Sequence, residues 1–279
     1  MLPPMLIEPL ITEHVTVAVT DLPERLQGTV VVQLSDFHFD GRSLALKVLQ
    51  EAIARCNAIA PDLIVLTGDF ITHEPQDIEG LVLYLKQLRS RTGVYAILGN
   101  HDHHHPQARS RVVAGLQSVG ICPLWNEVAY PFGADFPLVG LADFYARAFA
   151  PEVVFQQLDE QVPRLVLSHN PDSVVMLQPY RADVVLSGHT HGGQVILPRW
   201  GPVPALLQTW GAVVPKWARP LVPFLKQDCD RLFRNWQWSA GLHQVGATQL
   251  YVNRGLGSYF PGRWRCPPEL TVLRLVHAG

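Results

Sequence analysis

Five short runs of branched apolar residues each stop at a polar cluster, and this repeated stop restricts the fold more tightly than any other feature of the 279-residue chain. Residues 30–35 run into Asp36, Phe37 and His38, and residues 63–67 into Gly68 and Asp69. Residues 94–98 run into Gly99, Asn100, His101 and Asp102, and residues 165–168 into His169 and Asn170. Residues 184–187 run into Gly188, His189, Thr190, His191, Gly192 and Gly193. Uninterrupted apolar runs of this length read as strands covered on both faces. Ligands of open α/β sheets bind beyond the carboxyl ends of strands. Five such ends carrying His, Asp or Asn therefore predict one polar cluster, its members gathered side by side along one edge of a sheet.

Helical patterns separate several of these strands. Residues 43–60 carry Leu44, Val48, Leu49, Ala52, Ile53 and Cys56 at three-to-four spacing and stop before Pro61. Ile78, Leu81, Val82, Leu85 and Leu88 form a second stripe. Val112, Val113, Leu116 and Val119 form a third, with Gly120 placed to end it. Asn170 is placed to cap a helix that starts at Pro171. Further strands are expected near 138–141, 249–253 and 270–276. Strands alternating with helices predict an α/β fold.

The cluster Asp36, His38, Asp69, Asn100, His169, His189 and His191 offers oxygen and nitrogen donors and no thiolate. Such a set suits manganese first, with iron or zinc as the other members of a short list. Seven donors exceed what one ion with an open position takes and suit two divalent metal ions that share a carboxylate. Two cations can acidify a water and neutralise charge on a phosphoryl group, so the set points to phosphoryl chemistry on an anionic phosphoester substrate.

The blocks SDFH, GDF, GNHD, SHNPD and GHTHGGQ, in this order between Ser35 and Gln194, resemble the calcineurin-like metallophosphoesterase family. The resemblance implies a four-layer αββα sandwich of two mixed β-sheets flanked by helices. It implies a first metal on Asp36, His38, Asp69 and His191, and a second on Asp69, Asn100, His169 and His189. It further implies that His101 protonates the leaving group or stabilises the phosphoryl oxygens, with Asp102 orienting that histidine. The closing LYVNRGLG and CPPEL segments are similar to a bacterial branch of YkuE/YaeI-type phosphodiesterases, related to enzymes that cleave the pyrophosphate of UDP-2,3-diacylglucosamine. The resemblance thus implies a phosphodiesterase or pyrophosphatase acting on a nucleotide- or lipid-linked phosphate. The alternatives are a phosphomonoesterase, including a protein phosphatase, or a non-catalytic scaffold on the same fold.

The net charge of −2 provides no global basic field, so nucleic acid is not an expected partner. Cys56, Cys122, Cys229 and Cys266 form no CxxC pair and predict no disulfide framework. Residues 1–10 are apolar but short and broken by Pro3, Pro4 and Pro9, and are expected to be neither a signal peptide nor a membrane span. The expected location is cytoplasmic, with a peripheral contact on the inner face of the membrane as the alternative.

That contact would come from an insertion at about 198–239 in an otherwise single metallophosphoesterase domain spanning 1–279. It holds five of the seven tryptophans, Trp200, Trp210, Trp217, Trp236 and Trp238. It also holds six basic residues against Asp228 and Asp230, a local +4 in a chain of net −2. Aromatic and basic residues together suit a bilayer interface, and equally suit a packed element or a protein interface. His103, His104 and His105 read as a solvated loop, with one of them able to touch substrate. Asp143 reads as a loop cap or a site residue, and Asn170 and Asp172 as non-catalytic.

Overall fold

The computed structural model describes residues 6–211 and 233–278. Among these the strands form two six-stranded mixed sheets and one short ribbon. The first sheet is built from β1 (Ile11–Val19), β2 (Val30–Leu34), β3 (Leu63–Leu66), β4 (Val94–Ile97) and β5 (Cys122–Leu124), together with the last strand of the chain, Glu269–His277. That last strand lies between β1 and β2, parallel to β1 and antiparallel to β2, and β2 to β5 run parallel. The second sheet contains β6 (Glu127–Ala129), β7 (Leu138–Gly140), β8 (Leu165–Leu167) and β9 (Val184–Ser187), continued by a hairpin of strands Gly241–Val245 and Thr248–Val252.

The alternation along each strand decides the layering, because successive side chains point to opposite faces. Leu63 and Val65 of β3 join Val31 and Ile97 in a core shared with Leu165, Leu167, Val184 and Leu186 of the second sheet. Their neighbours Ile64 and Leu66 instead pack with α1 (Leu46–Ile59), α2 (Asp77–Leu85) and α3 (Ala108–Ser118). Val166 and Val185 face outward onto α4 (Pro151–Phe155) and α5 (Val174–Leu177). Helices, sheet, sheet and helices make the expected αββα sandwich.

The helices follow the apolar stripes, with ends set by local geometry. α1 stops at Ala60, which adopts a left-handed conformation directly before Pro61. α3 ends in a Schellman motif: Gly120 is left-handed at φ 77, its N–H reaches Gln117 O at 3.0 Å, and Ile121 N–H reaches Leu116 O at 3.1 Å. Asn170 does cap a turn, accepting from Asp172 N–H, but the turn is a single 3-10 step, Pro171–Ser173, leading into the four-residue α5.

Part of the 198–239 segment lies outside the described residues, including Trp217, and nothing is described of the Trp210 side chain. Trp200 is exposed, whereas Trp238 packs on the outer core of the second sheet. No helix of the described residues is long and apolar enough to cross a membrane. Cys56, Cys122 and Cys266 are unpaired thiols, and Cys229 lies outside the described residues.

Candidate metal centre

The five strand ends meet, but not along one sheet. β2, β3 and β4 of the first sheet deliver Asp36, His38, Asp69, Asn100 and His101. β8 and β9 of the second deliver His169, His189 and His191 across the seam between the sheets. The single-edge expectation fails because apolar runs specify burial without specifying which sheet a strand joins. Gln33 pins the seam from below, its Nε2 donating to Thr67 Oγ1 and Ser187 O, both at 2.9 Å. His189 N–H closes it from above, donating to Asp36 Oδ1 at 2.9 Å.

Close approach of the sheets depends on Gly188, where a Cβ would lie 2.0 Å from Ser35 Oγ and 2.3 Å from Asp36 Oδ2. Gly188→Ala is therefore expected to lower stability by about 1–3 kcal/mol through overpacking and to weaken cation binding at Asp36. Calorimetric unfolding and a metal titration check this; wild-type values in both would show that the seam yields freely.

Asp36, His38, Asp69, His189 and His191 all adopt left-handed backbone conformations, with φ between 45 and 71. Non-glycine residues rarely take this region, which costs of order 1 kcal/mol or more each. Here it turns each chain back at the strand end.

The donor atoms form three overlapping groups, each with its ligand atoms within 4.8 Å of one another: Asp36, His38 and His191; His38, Asp69 and His101; Asp69, His169 and His189. Asp69 Oδ2 lies 3.4 Å from His38 Nε2 and 3.2 Å from His169 Nε2. Backbone carbonyls fix several ring tautomers, since a carbonyl can only accept. His169 Nδ1–H donates to Thr67 O at 2.6 Å, His191 Nδ1–H to Gly257 O at 3.3 Å, and His101 Nδ1–H to Thr72 O at 2.7 Å. In the neutral rings every Nε2 is left bare.

The donor set fits a cation. His38 Nε2 and His191 Nε2 stand 2.9 Å apart, and Asp36 Oδ1 lies 3.5 Å from His191 Nε2. Burial pushes His38 down to about 3 and His191 well below its ordinary value, so both rings are neutral at pH 7. His191 Nε2 is a bare acceptor, open to His38 Nε2–H in one His38 tautomer and, together with a bare His38 Nε2, to a cation in the other. Asn100 Oδ1 is likewise buried with no hydrogen-bond partner, a cost that a cation removes. Burial raises Asp36 to about 6 against the opposing pull of His169, and a divalent cation would reverse that shift.

His169 and Asp69 form the coupled pair at the centre. Burial opposes charge on both, yet their mutual attraction holds His169 above and Asp69 below its ordinary value. The Asp69 contribution is present above its unfolded pKa and the His169 contribution below its own. The metal-free fold thus gains most from this pair between about pH 4 and 6.5. Ligation requires a bare His169 Nε2, so cation uptake near pH 7.5 is expected to release about one proton per centre. Calorimetric titration in two buffers of different ionisation enthalpy measures this; buffer-independent heats would remove His169 from the ligand set.

Asp102 does not meet the His101 ring. Its carboxylate accepts from the backbone N–H of Phe70 at 2.8 Å, Ile71 at 3.2 Å and Gly99 at 2.9 Å, tying the β3 and β4 loops together. Burial and the nearby Asp69 charge raise it to about 7. The contact that holds the His101 ring is Thr72 O. Asp143 is fully buried, with Oδ2 3.0 Å from His103 Nε2 and 3.1 Å from Tyr145 N. His104 and His105 are exposed.

Two features have no signal in the motif blocks. Tyr259 places its hydroxyl 2.8 Å from His38 Nδ1 and 3.2 Å from His101 Nε2. Burial and the surrounding carboxylates keep that phenol protonated. Asp172 accepts from Arg234 N at 2.6 Å and Asn235 Nδ2 at 2.7 Å, which holds the returning chain over the site. That chain places Phe233 and Trp236 in the wall of a cavity of about 180 Å³, whose floor includes Asp69, Asn100, His101 and His189.

The family described as calcineurin-like phosphoesterase matches residues 29–193. The chain is 31% identical to phosphodiesterase YaeI of Escherichia coli, over 88% of this chain and 82% of that protein. It is 30% identical to the uncharacterized metallophosphoesterase YkuE of Bacillus subtilis, over 95% and 84%. It is 29% identical to the UDP-2,3-diacylglucosamine pyrophosphatase LpxG of Chlamydia muridarum, over 90% and 85%.

Proposed function

We propose a reaction for this chain from one premise: it belongs to the calcineurin-like phosphoesterase family. It is a metal-dependent phosphoester hydrolase with clustered His and Asp ligands. Within that class we read it as a dinuclear phosphodiesterase or pyrophosphatase acting on a nucleotide- or lipid-linked phosphate of the UDP-2,3-diacylglucosamine kind. The observation that carries this reading is a cavity lined by two unlike sets of residues. Asp69, shared between two donor groups, belongs to the polar set, and Pro204, Phe233 and Trp236 to the apolar one. An apolar wall favours a substrate with an organic group on both sides of the phosphorus over inorganic phosphate. The names of the relatives LpxG and YaeI support the same class.

Asp36, His38, Asp69 and His191 would hold one ion, and Asp69, Asn100, His169 and His189 the other, with manganese, iron or zinc matching the donors. Bound there, the ions supply an acidified water and neutralise phosphoryl charge. As an imidazolium, His101 would carry one proton on Nδ1, held by Thr72 O, and a second on Nε2 for the departing oxygen. Phe233 and Trp236 exclude water from one side of the substrate. We read the whole chain as one metallophosphoesterase domain, and peripheral membrane contact through 198–239 as a property of its exposed part, where Trp200 stands.

Metal-stripped protein, reloaded with Mn²⁺ or Zn²⁺, should hydrolyse bis-p-nitrophenyl phosphate faster than p-nitrophenyl phosphate and release UMP from UDP-2,3-diacylglucosamine. Preference for the monoester would replace this reading with a phosphomonoesterase. Tight metal binding with no turnover on any of the three would favour a scaffold.

A further inference from the structure

We propose that Tyr259 is a positioning residue of this centre: its hydroxyl passes a hydrogen bond from His38 to His101, so that His38 presents a bare Nε2 to the cation and His101 holds Nε2 toward the cavity. The inference rests on the reading of His38 as a ligand and His101 as the proton donor.

The direction of the relay follows from one fixed end. Thr72 O, 2.7 Å from His101 Nδ1, can only accept, so the proton of the neutral ring is on Nδ1 and Nε2 is an acceptor. The Tyr259 hydroxyl, 3.2 Å away, must then donate to that Nε2. Its oxygen is left to accept, and the nearer nitrogen of His38 is Nδ1 at 2.8 Å, against 3.2 Å for Nε2. His38 Nδ1 therefore carries the ring proton, and Nε2 turns its lone pair toward His191 Nε2 and Asp69 Oδ2. Metal-binding histidines ordinarily have their second nitrogen held by a carbonyl or carboxylate. Here the hydroxyl that holds it also touches the proton donor.

Tyr259 is itself fixed from two sides. Its N–H donates to Gln194 Oε1 at 2.6 Å, and Gln194 O accepts from Trp264 N–H at 2.8 Å. The last residue of the GHTHGGQ block thereby anchors a loop 65 positions away. Arg263, almost wholly buried, donates to Gly257 O at 2.6 Å and Ser258 Oγ at 2.9 Å, clamping the chain just before the tyrosine. None of these contacts uses the phenolic oxygen, so Tyr259→Phe leaves the loop in place.

The experiment compares wild type with Tyr259→Phe as full chains. Long-range ¹H–¹⁵N spectra of the metal-free proteins at pH 8 report each imidazole tautomer. Competition with a chromophoric chelator reports Zn²⁺ and Mn²⁺ affinity. In wild type, His38 and His101 should both carry the proton on Nδ1. In the phenylalanine variant His38 should show a mixture, His101 should keep its Thr72-held form, and cation affinity should fall about tenfold. Turnover should fall in kcat rather than KM. An unchanged His38 tautomer together with affinity within twofold of wild type would overturn the assignment. Tautomer and affinity need no substrate, so they decide the matter even if the proposed reaction is wrong.

Discussion

Asp69→Asn is expected to reduce phosphodiester turnover below a thousandth of wild type, a loss of roughly 4 kcal/mol or more in transition-state stabilisation. The carboxylate is buried between the two donor groups, with Oδ2 3.4 Å from His38 Nε2 and 3.2 Å from His169 Nε2. Its Oδ1 accepts from His101 N–H at 2.9 Å. An amide matches the shape and removes the negative charge. The amide nitrogen would also face cations or ring nitrogens that need an acceptor. Both ions should therefore bind weakly, and the proton released on metal uptake should disappear, because His169 loses the charge that keeps it protonated. Metal content after equilibrium dialysis, measured beside turnover, tests this. A variant that retains two ions per chain would show that Asp69 does not bridge.

His101→Ala should separate chemistry from metal binding. The ring reaches the cavity while its Nδ1 is held by Thr72, and the two donor groups that exclude it remain intact. Cation content should stay near wild type. The rate on a poor leaving group should fall by about 10²–10⁴, the usual range for a general acid. With 2,4-dinitrophenolate, which leaves without a proton, the loss should shrink to less than tenfold. An equal loss with both leaving groups would mean that His101 stabilises phosphoryl charge and does not deliver a proton.

Much of this centre was legible because its ligands are local punctuation. A strand of three to five mostly apolar residues ends, and a histidine, aspartate or asparagine follows within three positions, at Asp36, Asp69, Asn100, His169 and His189 alike. The helices were legible for a similar reason, since a three-to-four stripe is written over a dozen neighbouring residues. The division between two sheets was not, because residues 63–66 and 184–187 carry the same kind of apolar run and enter different sheets. Partnership in a sheet is decided by contacts far along the chain. Tyr259 meets His38 across 221 positions and Asp172 meets Arg234 across 62. No spacing within a motif encodes either contact. Asp102 shows the remaining gap: the family resemblance implied that it orients His101, and no motif told that its carboxylate accepts from three backbone amides.

The five left-handed residues at the strand ends bear on how such a protein drifts over generations. The centre holds strained backbone at these positions and a buried Asn100 amide oxygen with no hydrogen-bond partner, and both cost stability. Changing His189 to glycine removes strain at φ 71 and takes one donor from the Asp69, His169 and His189 group in one step. Such strained positions cost stability, and selection for turnover is what keeps them. A lineage released from that selection slides toward a sturdier fold with a dead centre, and thermodynamics alone points it there.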